Sequence, residues 1–372
     1  MKTLLVGVDL TGKKFSAERD NYEETYHLCL AENLEVVKTI RQKRSTIDPK
    51  TVVGSGKLKE IVKLVESENI DLVVFDYPLK PAQWKEITRL IPVKVIDKAM
   101  LILDIFARRA QSAEGKLKVE LAQLEYNLPR LTELDSGLSR LVGGIGGRGP
   151  GETKLEISRR RSRERINLLK KKLEEIEKHR DLITKKQRTN KIPVVSIVGY
   201  TNVGKSALFN AITSKRDALV QNKLFATLDP LRRRITVVDE NNKHWSYIIS
   251  DTVGFIRDLP EQLYEAFKAT IKEVVESDLI LIVIDASDVN AYQKFQNVMK
   301  ILKDLGVDLA YTLIVLNKMD IARPEVVQEF ELLNPIKVSA TSRHNISLLK
   351  NVIAKKLFAD RRSIDTHHPK TI

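Results

Sequence analysis

A chain of 372 residues allows two or three domains at roughly 100–200 residues each. With 42% hydrophobic and 30% charged residues it is not a mainly disordered protein, and its lone cysteine, Cys29, excludes an intrachain disulfide or a cysteine-based zinc cluster. The 63 basic against 49 acidic residues, a formal charge of +14, point to a polyanionic partner unless the excess is merely solvated surface. In chain order, the apolar stretch at Met1–Val6 is too short for a signal peptide. Strands are predicted at Leu4–Val8, Val36–Ile40, Thr51–Val53, Leu72–Phe75 and Val93–Ile96, with helices near 23–31, 57–68 and 82–90. That alternation predicts a small parallel α/β domain over residues 1–97.

From Lys98 the pattern is purely helical. Leu117, Leu121, Leu124 and Leu128 form one apolar stripe, and Ile166, Leu169, Leu173 and Ile176 form another. Each stripe can bury the other in a long antiparallel hairpin over residues 98–190. A helix from Thr153 to about Lys186 would be about 50 Å long. Between the stripes, seven of the 16 glycines lie from Gly137 to Gly151, which places a glycine-rich loop at the hairpin's tip. A flexible connector has the same composition. Residues 153–191 hold 15 Lys/Arg and 6 Asp/Glu, so 15 − 6 = +9 of the total charge sits on this arm.

The strand Val194–Val198 runs into Gly199-Tyr200-Thr201-Asn202-Val203-Gly204-Lys205-Ser206, with Ala207 following in a predicted helix. This is the G-x4-G-K-[ST] phosphate loop in its strand–loop–helix setting. Gly199 and Gly204 let the backbone curl so that its N–H groups face phosphates, Lys205 neutralises the β- and γ-phosphates, and the Ser206 hydroxyl can ligate Mg²⁺. The helix N-terminus adds its positive end.

After the apolar run Leu313–Leu316 comes Asn317-Lys318-Met319-Asp320. The Asp320 carboxylate can accept from the N1–H and 2-amino group of guanine, whereas adenine would leave it unpaired. The tetrapeptide resembles the guanine-specificity element of Ras-like GTPases. Asp251-Thr252-Val253-Gly254 resembles the Asp-x-x-Gly switch, in which the aspartate supports Mg²⁺ through water and the glycine N–H senses the γ-phosphate. Thr227 resembles the switch threonine that joins the metal shell, and Ser339-Ala340-Thr341 resembles the last guanine-contacting loop. The set predicts a P-loop GTPase domain over residues 191–360, with GTP/GDP as ligand, Mg²⁺ as cofactor, and Lys205, Thr227 and Gly254 as the catalytic group. Phe255 occupies the position of the Ras-type glutamine, so slow hydrolysis without a partner is expected.

The run from Gly143 to Glu156 with Arg159-Arg160-Arg161, the segment Phe225–Asp229, and Asp251–Ile256 together resemble the signature of the HflX GTPases, over nearly the whole chain from about Leu4 to Phe358. The resemblance implies an N-terminal α/β domain, a helical hairpin and a GTPase domain. It also implies binding to rRNA of the large ribosomal subunit, with splitting or rescue of idle or stalled ribosomes. The basic residues Arg148, Arg159, Arg160, Arg161 and Arg163 are the expected RNA contacts. Two positions depart from the pattern: the acidic residue usual before the arginine run is Ser158 here, and the chain ends at residue 372 without the further C-terminal domain of many bacterial members. Residues 361–372 read as a polar tail in which His367 and His368 are solvated.

Gly54-Ser55-Gly56-Lys57 can be read as a second phosphate loop or as a strand-to-helix turn, since the full pattern is lacking. Trp84, Tyr77 and Trp245 read as packing residues, which disfavours a base-stacking platform and favours phosphate-backbone binding to folded RNA. The remaining function classes are a ribosome-binding GTPase, an RNA-binding GTPase in ribosome assembly, and a signalling switch with an acidic protein partner. A cytoplasmic monomer without a membrane span is expected.

Overall fold

The structure is a computed structural model that describes residues 1–11, 15–110, 112–138, 154–187, 192–213, 231–238, 242, 244–252 and 274–359. These fall into two compact units, one within Met1–His179 and the other within Arg180–Ile256 and Lys268–Ile372. No helix among the described residues is long and apolar enough to cross a membrane.

The first unit opens with β1 (Lys2–Leu10), α1 (Phe15–Ala31), β2 (Glu35–Arg44), α2 (Ser55–Ser67), β3 (Leu72–Phe75), α3 (Pro81–Leu90) and β4 (Lys94–Asp97). The strands form a parallel sheet in the order β2-β1-β3-β4. Continuous burial of Leu4–Val6 and Leu72–Phe75 is what a parallel sheet covered by crossover helices demands. Cys29 is buried against it; burial pushes the thiol up to about 12, which leaves it unreactive at neutral pH.

One predicted strand is absent. Thr51–Val53 is a turn, because the Asp48 carboxylate accepts from the backbone N–H groups of Lys50 and Thr51 and from the Thr51 hydroxyl, while Val52 takes a left-handed φ of 67°. The aspartate offers the backbone a local alternative to ladder pairing. Val52 and Val53 still enter the core. The neighbouring Gly54 spends its N–H on Gln42 Oε1 at 2.8 Å, and Lys57 pairs with Glu60 at 2.6 Å. The turn reading of Gly54–Lys57 is therefore the one this geometry supports.

Two helices follow, α4 (Lys98–Arg109) and α5 (Ala113–Leu138), and then α6 (Lys154–Gln187). α5 packs on α3 and α4. Among the described residues its buried apolar side chains are Val119 and Ala122, and the predicted leucines are half-buried beside them. On α6 the expected stripe holds, with Ile166 and Leu169 buried. Two ion pairs tie the long helices: a bidentate Arg165–Glu120 pair at 2.7 and 2.9 Å, and Lys170–Glu125 at 2.8 Å.

α5 is locked to the sheet by a buried polar network. Asp97 Oδ1 caps α4 by accepting from the Met100 N–H, while Oδ2 accepts from Leu79 N–H, Tyr126 hydroxyl and Arg130 Nη2 at 2.6–2.9 Å. Arg130 also donates to the Leu79 carbonyl and lies 4.0 Å from the Tyr126 ring centroid. Removing one partner of a buried pair strands the other, at about 3–5 kcal/mol. Arg130→Met should lower unfolding stability by that amount, in a urea titration followed at Trp84, which sits beneath the guanidinium. A loss under about 1 kcal/mol would show that the pair contributes little net stability.

The second unit is a six-stranded sheet in the order β10-β9-β8-β5-β7-β6. Its strands are β5 (Val194–Val198), β6 (Leu231–Val238), β7 (His244–Asp251), β8 (Leu279–Asp285), β9 (Thr312–Asn317) and β10 (Ile336–Lys337). Among the described strands only the β6–β7 pair is antiparallel. Among the described residues its helices are α7 (Lys205–Thr213), α8 (Ala291–Asp304), α9 (Pro324–Phe330) and α10 (Ile346–Ala359). Trp245 stacks on Phe358 at 4.4 Å, and Trp84 donates its indole N–H to the Val95 carbonyl, so both are packing residues as expected. Arg232, Arg233 and Arg234 lie exposed on the edge strand β6.

Candidate nucleotide site

The C-terminal ends of β5, β7, β8 and β9 bring the predicted nucleotide residues to one edge of the parallel sheet, where open α/β sheets take their ligands. β5 ends at Val198 and the loop 199–204 leads into α7 at Lys205. Gly199 is essential for close approach: a Cβ there would collide with the Val283 carbonyl. Asn202 adopts φ 64°, a left-handed conformation asparagine tolerates, and Gly204 lies at φ 89°.

Lys205 is buried and donates to the Tyr200 carbonyl at 2.5 Å. Burial pushes its pKa down to about 8, against the opposing pull of the Asp251 carboxylate. Such a buried ammonium suits a phosphate-binding lysine, because an anion held against it favours the charged form. The next side chain, Ser206, donates its hydroxyl to Asp251 Oδ2 at 2.7 Å. Asp251 is fully buried at the end of β7, paired in register with Ile197, and the following Thr252 hydroxyl donates to the Ile197 carbonyl at 2.6 Å. Two hard oxygen donors thus converge beside the phosphate loop, a donor set that fits Mg²⁺.

The base end is held by Asn317. Its amide donates to the Val203 carbonyl at 2.9 Å and accepts from the Ala340 N–H at 3.0 Å, so one buried side chain joins the phosphate loop to both base loops. A Cβ at Gly204 would occupy the space of the Asn317 amide nitrogen, which explains glycine there. Lys318 is left-handed at φ 62°, and Asp320 stands exposed with its carboxylate accepting from the Ser339 hydroxyl at 2.5 Å. Ser339 in turn accepts from the Ser342 N–H.

The predicted residues Gly199, Tyr200, Thr201, Asn202, Val203, Gly204, Lys205, Ser206, Ala207, Asp251, Asn317, Lys318, Asp320, Ser339 and Ala340 all lie in these loops and strand ends or in the first turn of α7. Thr227, Gly254, Phe255, Arg148, the glycine-rich loop and the tail with His367 and His368 lie outside the described residues. Among the described residues no cluster of three or more His, Cys, Asp or Glu could hold a metal.

The expected RNA contacts on α6 do not form one uniform row. At about 100° per residue, Arg159 falls beside the Ile166–Leu169 stripe and is half-buried, whereas Arg160, Arg161 and Arg163 are exposed. Sequence reasoning missed Thr252, which anchors the switch strand, and Asp285, which pairs with Lys318; a polar residue closing the apolar run Leu279–Ile284 was the available signal.

Three family models match in succession: "GTP-binding GTPase N-terminal" over residues 19–107, "GTP-binding GTPase Middle Region" over 109–188 and "50S ribosome-binding GTPase" over 194–318. GTPase HflX of Caldanaerobacter subterraneus subsp. tengcongensis is 44% identical over 352 residues, 95% of this chain and 80% of that protein. GTPase HflX of Escherichia coli K12 is 42% identical, covering 89% of this chain and 74% of the relative. Among solved structures, the SsGBP complex with GDP superposes with a TM-score of 0.55 at 29% identity, covering 96% of this chain and 99% of the other. With this nucleotide-site geometry and relatives of that similarity along nearly its whole length, the chain belongs to the HflX family of GTPases.

Proposed function

We propose that the protein is a Mg²⁺-dependent GTPase that binds the large ribosomal subunit through its helical arm and splits or rescues idle or stalled ribosomes. Residues 1–97 form its α/β domain, 98–190 the arm, 191–360 the GTPase domain and 361–372 a tail. It acts as a monomer in the cytoplasm. The carrying observation is that the 199–206 segment, Asp251 and the 317–320 and 339–340 segments meet at one edge of the sheet, in a chain whose α6 exposes Arg160, Arg161 and Arg163. The name of the matching GTPase model, a 50S ribosome-binding GTPase, supports the choice of partner.

In this reading the N–H groups of the 199–204 loop and the N-terminus of α7 bind the phosphates, and Lys205 supplies the charge. Ser206 and Thr227 would hold Mg²⁺ directly, and Asp251 would support it through water. The ion would neutralise charge on the β- and γ-phosphate oxygens. Asp320, backed by Ser339 and Ala340, reads guanine, and Gly254 senses the γ-phosphate. Phe255 cannot hydrogen-bond water, so the large subunit must supply or order the group that orients it.

Arg160, Arg161 and Arg163, with Arg148 and Arg159, take the rRNA phosphates. Single-turnover hydrolysis should therefore be slow in the free protein and faster with large subunits. An Arg160/Arg161/Arg163→Ala variant should sediment poorly with them and lose the stimulation. Its log–log salt slope should flatten by about one per lost phosphate contact. Ribosome binding by the variant at wild-type strength would reduce the basic face to solvated surface. Binding to free RNA but not to subunits would favour an assembly role, and binding to neither a protein partner.

A further inference from the structure

Resting on the reading of 317–320 as the guanine loop, we propose that Asp285 is a positioning residue for base recognition, acting through Lys318. Asp285 closes β8 next to Asn317 in the parallel register. Its Oδ1 accepts from the backbone N–H and hydroxyl of Ser287 at 2.9 and 2.6 Å, which fixes the carboxylate's orientation. Its Oδ2 accepts from the Lys318 ammonium at 2.6 Å, with only 13% of the Asp285 side chain exposed.

Lys318 needs such a hold. A left-handed backbone is unfavourable for a side chain with a Cβ, and lysine, unlike asparagine, has no short polar group to stabilise it locally. Here that conformation, φ 62° and ψ 37°, is the pivot between two opposed neighbours. On one side Asn317 turns inward to the Val203 carbonyl, and on the other Asp320 turns outward beside Ser339. If Lys318 relaxed towards a right-handed or extended conformation, the two could not keep these directions together.

The loop carrying Asp285 is itself braced against the same segment. Ala286 N–H donates to the Asn317 carbonyl, and Arg323 N–H to the Ala286 carbonyl, both at 2.9 Å. The Arg323 guanidinium reaches the Ser287 carbonyl at 2.9 Å. Within this braced layer, Asp285 is the residue whose carboxylate pairs with the Lys318 ammonium. A side chain that merely terminated β8 would not need a carboxylate aimed at this ammonium.

The test uses the full chain and the isosteric Asp285→Asn variant, which keeps an acceptor for Ser287 and loses the charge. Binding of GDP and of inosine diphosphate, which lacks the 2-amino donor, is titrated on both proteins. The expected result is a GDP affinity reduced about tenfold through faster dissociation, a guanine-over-hypoxanthine ratio reduced by a similar factor, and little further loss when Lys318→Met is added. An equal loss for both nucleotides, or no loss, overturns the proposal. If the variant melts early, the ratio measured well below its midpoint still decides, because instability alone weakens both ligands alike. Asp320→Asn is titrated in parallel: unchanged base preference in that variant would bring down the guanine-loop reading itself, a failure distinct from a normal Asp285→Asn.

Discussion

Asp320→Asn is expected to weaken GTP binding by roughly 100-fold or more and to turn the preference towards xanthine nucleotides. The carboxylate can accept from two guanine donors at once, and each hydrogen bond to a charged group contributes about 1.5–3 kcal/mol. An amide presents one donor and one acceptor, which mismatches guanine and suits the 2-oxo edge of xanthine. The geometry allows the change to act on the base alone, since Asp320 is exposed and its protein partner is the Ser339 hydroxyl, which can donate to an amide oxygen equally well. The fold should thus be spared. Competition titrations with guanosine and xanthosine diphosphates measure the effect, and retained guanine selectivity would refute the assignment.

The second large effect concerns pH. The Lys205 ammonium is held down to about 8 from an ordinary 10.5 by burial. Its folded pKa lies below the unfolded one, so between about 8 and 10.5 the unfolded chain binds more protons. The nucleotide-free protein therefore gains stability from this group as pH rises through that window, and carries the full cost of the buried charge below it. Nucleotide phosphates reverse the balance by favouring the ammonium. Above pH 8 binding must take up a proton, and affinity should fall by up to about tenfold between pH 8 and 9. Guanine's own N1–H also titrates in alkaline solution, so Lys205→Ala is the necessary comparison. It should bind GTP at least 100-fold more weakly, as loss of charged hydrogen bonds implies, and show only the base's pH dependence. Calorimetry in buffers of different ionisation heat would detect the proton, and an identical profile for both proteins would remove Lys205 from the linkage.

Much of the site was legible because its parts are contiguous. Residues 194–206 carry strand, glycines, lysine and serine within one segment, and 317–320 follow directly on an apolar strand. The stripe of α6 was legible for a related reason: a 3.6-residue period is a local signal, and Ile166 and Leu169 answer to it, whereas on α5 the leucines are half-buried and Val119 and Ala122 are the buried apolar residues. What escaped is contact between distant segments. Asp97 and Arg130 are 33 positions apart, and so are Asp285 and Lys318. No periodicity marks an aspartate at the end of a strand as the partner of a cation on another element. The strand expected at Thr51–Val53 failed differently, since its β-branched composition was outweighed by the Asp48 side chain capturing the backbone. Val52 in a left-handed conformation shows that tertiary burial can override a residue's own preference.

The amide of Asn317 has a consequence for the kinetics of exchange. Because one side chain spans Val203 and Ala340, the 199–204 loop and the two segments proposed to read the base form a single mechanical assembly. Ligand release then has no partial route in which the phosphate end loosens while the base end stays formed. Anything that displaces one loop pulls the amide away from the others and opens the whole pocket. An exchange stimulator would need a foothold on only one of the three loops, at a distance from the nucleotide itself, to shorten its residence time.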